Sequence, residues 1–593
     1  MEEQERAGSG SAFPIILIAA VVQGWALYGL YFAIEYEHWP ATDTSWLTAL
    51  YSIALLIPAT VQLLADHMRK PVAMGMVAAM AIVLFYMGWH SGASLTVIVS
   101  EQRNDFEELV PFAFELVVLW LLVLPFLQAR LIGGSWQLRY ETLFATAWRN
   151  KLALAEAAAF TGALWLLLML WQSLFGMLGI RFFRTLFREP LFIYPVTSIT
   201  FGLALHLIGS VERFTSIVLE QVLNVLKWLA VVAGLILALF TVTLVFKLPG
   251  LFATGERIIS AAWLLWLVAV IVLLVNAAYR DGTVERPYPR WIAFALRLIV
   301  PLAAVIALTA MYALYVRSTR YGLTVERVWA FVVAGAAIVY SIGYGIAALR
   351  GGRWMGGISQ VNIVAALALI AVIAMALTPI LSPYRLAANS QAKIAAAGEF
   401  DQNRFDSALA TLRFDTGNYG QEKLRQLAKI EDRPDAEKIR AAVAAIQLKP
   451  NRWGVAAPST ETMEMALAAL PLYPTGAVMD PGLQQQVVNR LRDSTRVRNA
   501  TSTDMVGAFV DLDGDGHNEF VLIEDAWADL FEQSTERWRF VGTMNNHRLT
   551  VDNKRITSRL ADDLSAGSVE ARPPRWKNLI VGKREYRLDS FDR

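Results

Sequence analysis

The sequence predicts an all-α polytopic membrane bundle of about eleven transmembrane helices, followed by a soluble helical connector and a small α+β C-terminal domain. Three observations predict it. The 593 residues are 56% hydrophobic and only 18% charged, a balance that water-soluble domains rarely show. Apolar runs long enough to cross hydrocarbon, about 20 residues each, recur along the first two-thirds of the chain. Beyond Pro383 the text becomes charged and alanine-rich, then strand-like. The resulting division is a cytoplasmic tail at 1–12, a transmembrane domain at 13–381, a helical connector at 382–452 and a soluble α+β domain at 453–593.

The first twelve residues are acidic and polar. A secretory signal would open on basic residues and reach a small-residue cleavage site after a short apolar core. The run 13–34 is long enough to span and is expected to be retained. Ten further runs follow at 46–65, 71–90, 110–129, 152–180, 190–210, 228–246, 258–278, 291–316, 328–349 and 359–381. Eight of the eleven hold no Asp, Glu, Lys or Arg. Helices apolar on every face suit lipid rather than a surface position. The runs are too long and too continuous for a transmembrane β-barrel, and no repeat reveals an inverted-repeat transporter.

Lys and Arg in short loops orient the bundle. With the N-terminus inside, cytoplasmic segments hold fourteen: Arg6, Arg69, Lys70, Arg130, Arg139, Arg149, Lys151, Arg213, Lys227, Arg280, Arg286, Arg290, Arg350 and Arg353. The opposite loops hold nine: Arg103, Arg181, Arg184, Arg188, Lys247, Arg257, Arg317, Arg320 and Arg327. Eleven crossings then put the C-terminal domain outside.

Charges within the spans are Glu115, Glu156 and Arg297, and His206 lies in span six. A charge at the bilayer centre costs about 2.5–3.5 kcal/mol on insertion scales, so such groups are paired, snorkel to the interface, or serve a proton or substrate relay. His206 has no second histidine one helical turn away, so it reads as a packed or interfacial group.

The loop Arg317-Ser-Thr-Arg-Tyr-Gly-Leu-Thr-Val-Glu-Arg327 joins spans nine and ten. Gly322 can end one helix in a left-handed cap. Thr324 can cap the next, with Glu326 in its first turn. Arg317, Arg320 and Arg327 lie on the face where positive charge is disfavoured. They read either as interfacial anchors of a tight hairpin or as an anion or lipid-headgroup contact, to which Arg181, Arg184 and Arg188 could add.

In the tail, residues 384–450 show helical periodicity, with Pro434 near a helix start. A mixed, proline-containing stretch runs from 453 to 500. Strand patterns then appear in MVGAFVDL, EFVLIED, RWRFVGTM and NLIVGKREYRL. Between the first two lies Asp511-Leu-Asp513-Gly-Asp515-Gly516-His517-Asn-Glu519. Oxygen ligands fall at positions 1, 3, 5 and 9 of this loop, His517 would offer its backbone carbonyl at position 7, and Gly516 permits the sharp turn. That is an oxygen chelate for Ca2+, in a structural role. Position 12 is Leu522 rather than Glu, and the flanks are strands, so the loop is not an EF-hand. The other reading is an Asp/Gly-rich hairpin turn that holds no metal.

Two resemblances rest on these residues. The loop resembles the DxDGDGxxD/E loops of integrin-type β-propeller repeats, although its single copy implies no propeller. Tyr321-Gly322-Leu323-Thr324 with Arg327 is similar to the signature of a bacterial membrane family known as domain of unknown function 4153. So is the segment carrying Ser382, Pro383, Ser390, Gln391, Gly398, Phe405, Leu412, Arg413, Phe414, Tyr419 and Gly420. The resemblance implies an inner-membrane protein with an envelope-facing tail. It implies no reaction.

The functions this leaves are a permease-like or envelope-assembly role, or a membrane-anchored sensor or scaffold with a calcium-stabilised periplasmic domain. A third is a multi-span glycosyltransferase acting on lipid-linked sugars, suggested by Glu35, Glu37, His38 and Asp43 in the first outer loop. The balance leans away from an enzyme, because no P-loop, HExxH or GxSxG context occurs. The absence of cysteine removes disulfides, thiolate metal sites and cysteine nucleophiles. The expected partners are the lipid bilayer and an envelope protein or lipid. A net charge of +2 gives no field to recruit nucleic acid.

Overall fold

The structure is a computed structural model. It describes residues 2–589 except 102–108, 137, 211, 255–259, 284–286, 351–353, 398–401, 432–433, 450–451, 453–466, 468–469, 475, 494–504, 524–526, 535–536, 547–549, 552–553, 556–568, 573–577 and 582–583. Arg103, Arg257, Arg286, Arg353, Gly398 and much of the proline-containing stretch at 453–500 therefore lie outside the described residues. The chain forms two compact units, Met1–Arg440 and Ala441–Arg593.

The first unit carries eleven helical segments long and apolar enough to cross a membrane. In chain order they are α1 (Glu2–Glu35), α2 (Thr44–Leu63), α3 (Pro71–Glu101), α4 (Val110–Gly133) and α5 (Tyr140–Met177). After the short α6 (Phe182–Leu186) come α7 (Pro190–Ser210), α8 (Glu212–Thr254) and α9 (Ala261–Tyr279). The ninth span is broken into α10 (Arg290–Ile299) and α11 (Leu302–Tyr321), and α12 (Val325–Leu349) and α13 (Ile358–Ala376) complete the set. The break has a cause in Pro301, which lacks an amide donor and clashes with the preceding turn. Gly345 of α12 lies against that corner, its Cβ position at an ordinary contact distance of 3.5 Å from Pro301.

Several helices, α5 and α8 among them, begin about three to four turns earlier than hydropathy suggests. The expected starts at 152 and 228 become Tyr140 and Glu212. Hydropathy marks where hydrocarbon begins, whereas backbone hydrogen bonding carries a helix on into water.

Lipid is as apolar as the spans, so close backbone approach and polar contacts must hold them together. Gly88 and Gly92 of α3 face α2 so tightly that a Cβ at Gly88 would lie 2.8 Å from the Ala49 backbone. Buried amides bridge further pairs. Gln23 on α1 donates to the Leu55 carbonyl (2.9 Å), and Gln128 on α4 exchanges hydrogen bonds with Asn150 on α5 at 2.7 and 3.1 Å. Trp120 donates to Thr60 Oγ1 at 2.8 Å.

Three tail helices pack within this unit: α14 (Pro383–Ala395), α15 (Gln402–Phe414) and α16 (Gly417–Leu427). The next helix, α17 (Ala436–Gln447), contains the division between units. The second unit is an eight-stranded sheet in the order β1-β2-β3-β4-β5-β10-β9-β8. Its strands are β1 (Leu472–Tyr473), β2 (Val506–Val510), β3 (Glu519–Ile523), β4 (Trp527–Ser534), β5 (Arg537–Asn546), β8 (Val569–Arg572), β9 (Asn578–Val581) and β10 (Arg584–Asp589), with β6 (Thr550–Val551) and β7 (Lys554–Arg555) forming a separate hairpin. All pairings are antiparallel except β1 with β2. Alternation along β3 sends Phe520 and Leu522 to one buried cluster and Val521 and Ile523 to another. The helix Pro481–Asp493 contributes Leu483, Val487 and Val488 to the first cluster. Asp480 ties that helix to the sheet, accepting from Leu483 N at 2.9 Å and from Trp538 Nε1 at 2.6 Å.

Candidate functional site

One concavity is a cleft of about 440 Å³ at one end of the bundle. It is built where α5 and α13 begin and where α9 and α12 end. Its walls include Arg139, Tyr140, Glu141, Tyr279, Asp281, Trp354, Ser359 and Gln360. Arg139 pairs with Glu141 at 3.2 Å on the exposed rim, and Asp281 accepts from Thr283 N (3.0 Å) and Oγ1 (2.7 Å).

Tyr140 belongs both to the wall and to a buried network beneath it. Its hydroxyl donates to Asn276 Oδ1 at 2.8 Å and accepts from Asn362 Nδ2 at 2.8 Å. Asn362 Nδ2 also reaches Asn276 Oδ1 at 3.1 Å, and Asn362 Oδ1 accepts the Tyr344 hydroxyl at 2.6 Å. Four helices, α5, α9, α12 and α13, are thus joined by four uncharged side chains. Tyr344 is 1% exposed, so its hydroxyl depends on this partner. Trp354 is held edge-on by the Tyr288 ring, 5.6 Å away, while Tyr288 donates to the Lys227 carbonyl at 2.6 Å.

The residues singled out from sequence lie elsewhere. Glu115 is in α4, Glu156 in α5 and Arg297 in α10, each intermediate in exposure, and none lines the cleft. His206 packs against Phe13, with ring centroids 4.9 Å apart. In the first loop Asp43 caps α2 through Ser45 N at 2.8 Å, and Glu35 accepts from Tyr31 at 3.4 Å. His38 sits beside Phe32 and Tyr36, and Glu37 takes φ +52°.

The loop between α11 and α12 is clasped by α14. Leu323 N donates to Ser390 Oγ at 2.9 Å, and Gln391 Nε2 donates to the carbonyls of Leu323 (2.7 Å) and Tyr321 (3.2 Å). Arg327 turns back to the Tyr321 carbonyl at 3.2 Å and to that of Gly322, while Arg317 and Arg320 are exposed. Thr324 caps α12 through Arg327 N at 3.4 Å. Gly322 has φ +73° with ψ 175°, an extended glycine-only conformation rather than the left-handed cap expected. The Ser390-Gln391 clasp pulls the chain straight there, leaving no room for the curl of a helical cap.

In the second unit the acidic loop does join two paired strands, with Val510 opposite Glu519. Carboxylate oxygens of Asp511, Asp513 and Glu519 lie within 4.8 Å of one another. Ligands about 2.4 Å from a calcium ion stand no more than about 4.8 Å apart, so the trio fits a hard cation. Asp515 and His517 fall outside this group, Asp515 instead accepting from His517 N at 2.7 Å. Gly514 and Gly516 take φ +83° and +92°, which supply the turn. Glu519 is 3% exposed. Burial pushes its carboxyl up to about 7, with the charges of Asp513, Asp511 and Asp515 adding to the rise and the Leu512 N–H opposing it.

Sequence inspection missed the cleft because it followed charge. The available signal was two asparagines, Asn276 and Asn362, within otherwise apolar spans. No family model, curated protein or solved structure matches this chain.

Proposed function

We propose that this multipass membrane protein is permease-like, with the cleft as the mouth of a ligand path and the Tyr140–Asn276–Asn362–Tyr344 network as its floor and latch. The observation that carries this reading is the network itself: neutral, hydrogen-bonded, shared by four helices and reached from a 440 Å³ polar cleft through Tyr140. Buried polar side chains that bridge helices are costly unless paired, and the cleft opens directly onto this one. The loop charges favour the cytoplasm for the cleft and the periplasm for the C-terminal unit. The likeness of Tyr321–Thr324 and Ser390–Gln391 to the family known as domain of unknown function 4153 supports an inner-membrane placement.

The chain's lack of cysteine makes the test direct. Ser359→Cys should react with an impermeant thiol reagent from the cytoplasmic side alone, and Gln533→Cys from the opposite side alone. Ser341 lies one turn deeper than Tyr344 and is 1% exposed. Ser341→Cys should still react with a small charged methanethiosulfonate, more slowly than Ser359→Cys, because a latch must open. No reaction at Ser341→Cys over hours would favour a solid scaffold.

The carboxylate trio supports a companion reading, in which Ca2+ pins the β2–β3 hairpin of an envelope-facing module. Extracellular sites of this kind bind at about 10⁻⁴–10⁻³ M, so 1 mM calcium should stabilise the unit by about 0.4–1.4 kcal/mol. The full-length protein should therefore show slower amide exchange over Val506–Ile523 in calcium than in chelator. Asp513→Ala should abolish the difference. Equal exchange with and without chelator would remove calcium from the account.

A further inference from the structure

Polar contacts also gather where the end of α2, the end of α4 and the first part of α5 meet. Gln128 of α4 donates to the Leu63 carbonyl at 3.4 Å and exchanges hydrogen bonds with Asn150 of α5. Lys70, just before α3, donates to the Leu131 carbonyl at 3.3 Å, which sets it beside the last turn of α4, where Arg130 stands. Neither Lys70 nor Arg130 has an acidic partner among the described residues. Lys70 is exposed and keeps two N–H donors beyond the one given to Leu131. Arg130 lies over the Trp136 ring at 5.8 Å with its Nε enclosed, so its terminal nitrogens are the end that can meet a ligand. Arg149 adds to the field. Burial, then Lys70 and more weakly Arg149, hold His67 below its usual range, against the opposing charge of Asp66. Three bases thus outnumber one acid at this junction, and none of these residues lines the cleft.

The junction lies at the level of a membrane surface. Arg130 is in the last turn of a 24-residue span, and Lys70 stands one residue before another span begins. Ile132 and Trp136, 52% and 62% exposed, put apolar surface beside Arg130. A cation at the end of a span with an exposed aromatic ring next to it suits a headgroup and the top of its chains better than an ion in bulk water. We infer that this junction binds an anionic phospholipid, with Lys70 and the terminal nitrogens of Arg130 on its phosphate and with Trp136 and Ile132 against the glycerol and upper chain. The carbonyls that end α4 hold the lysine in place, because a helix C-terminus favours a cation. Excess positive charge selects an anionic lipid over a zwitterionic one, whose own cation would be repelled. The Tyr140 network takes no part, and the chemistry is the same on either side of the membrane.

Because the chain has no cysteine, Ile132→Cys carrying a fluorophore reports on the lipid beside the junction. The full-length protein is placed in phosphatidylcholine nanodiscs that contain a small fraction of chain-brominated lipid. Brominated phosphatidylglycerol should quench the label at a mole fraction at least about fivefold lower than brominated phosphatidylcholine, the enrichment that a single base gives at a membrane surface. A label at Leu239→Cys, 62% exposed in the apolar part of α8, should be quenched alike by both. Lys70→Gln combined with Arg130→Gln should bring the two lipids to parity at position 132, whereas Lys70→Arg combined with Arg130→Lys should retain the preference. Arg290→Gln, on α10, should leave it unchanged. Equal quenching by the two lipids in the chain with Lys70 and Arg130 intact would overturn the inference, whatever the glutamine variants do to folding. So would an equal loss of preference in Arg290→Gln and Arg130→Gln, which would mean a diffuse surface field rather than a site. Displacement of brominated phosphatidylglycerol by inorganic phosphate at constant ionic strength would make a free anion the occupant and overturn the lipid assignment.

Discussion

Replacing Asn362 with leucine is expected to destabilise the membrane unit by about 2–5 kcal/mol. Leucine has similar volume, so packing alone predicts little change. The loss comes from polar groups. Tyr344 would keep a hydroxyl 1% exposed with its acceptor removed, and Tyr140 and Asn276 would each lose the amide that now bridges them. A buried polar group left unsatisfied costs about 1–3 kcal/mol, and in membranes the upper end is softened because the unfolded helices also find partners. Tyr344→Phe removes one donor and leaves an amide oxygen, so it should cost about 1 kcal/mol. Melting in detergent would rank the two. If both cost the same, Asn362 is not the hub. The same change tests the latch. Ser341→Cys combined with Asn362→Leu should react faster than Ser341→Cys alone, because the four helices lose their shared tie. An unchanged rate would leave the network as a structural tie only.

The spans were legible because hydrocarbon is an exacting solvent: any stretch that crosses it must be apolar for about 20 residues. Their ends were less so. The stretch from Tyr140 to Lys151 is charged and continues the helix of α5 beyond the apolar run. The acidic hairpin loop was legible because its carboxylates are local, within nine residues from Asp511 to Glu519. The cleft was not, because its floor joins residues up to 222 positions apart, and none of the four is charged. Arg327 illustrates the same limit. Its charge and loop position were plain, but its destination depends on Ser390 holding the Leu323 amide and Gln391 the Tyr321 and Leu323 carbonyls, from 67 to 70 positions away. Local capping was readable at Thr324, whose hydroxyl and target amide are three residues apart, and not at Gly322, whose ψ is set by that distant clasp.

Gly417→Val should release α16 from α3, at a cost of about 3–5 kcal/mol. Gly417 has φ +54°, where a branched residue is strained by about 1–2 kcal/mol before any contact is considered. Its Cβ would also run into the carbonyl oxygen of Ser94. That obstacle is backbone of a membrane helix and cannot rotate aside, unlike the end of a flexible side chain. Moving α16 outward would break the Asn418 Nδ2 bond to the Ala93 carbonyl (2.5 Å) and separate Tyr419 from His90, now 3.3 Å apart. His90 would keep only its contact with the Leu377 carbonyl at 3.2 Å. Tyr419→Phe removes just one of these contacts and should cost less than about 1.5 kcal/mol. Hydrogen exchange across α14–α16 in the full-length protein distinguishes the two, since Gly417→Val should expose α16 amides while Tyr419→Phe leaves them protected. Protection equal to wild type in Gly417→Val would mean that α3 yields to the new side chain, and that the tail helices are held chiefly by the α14 clasp on the α11–α12 loop.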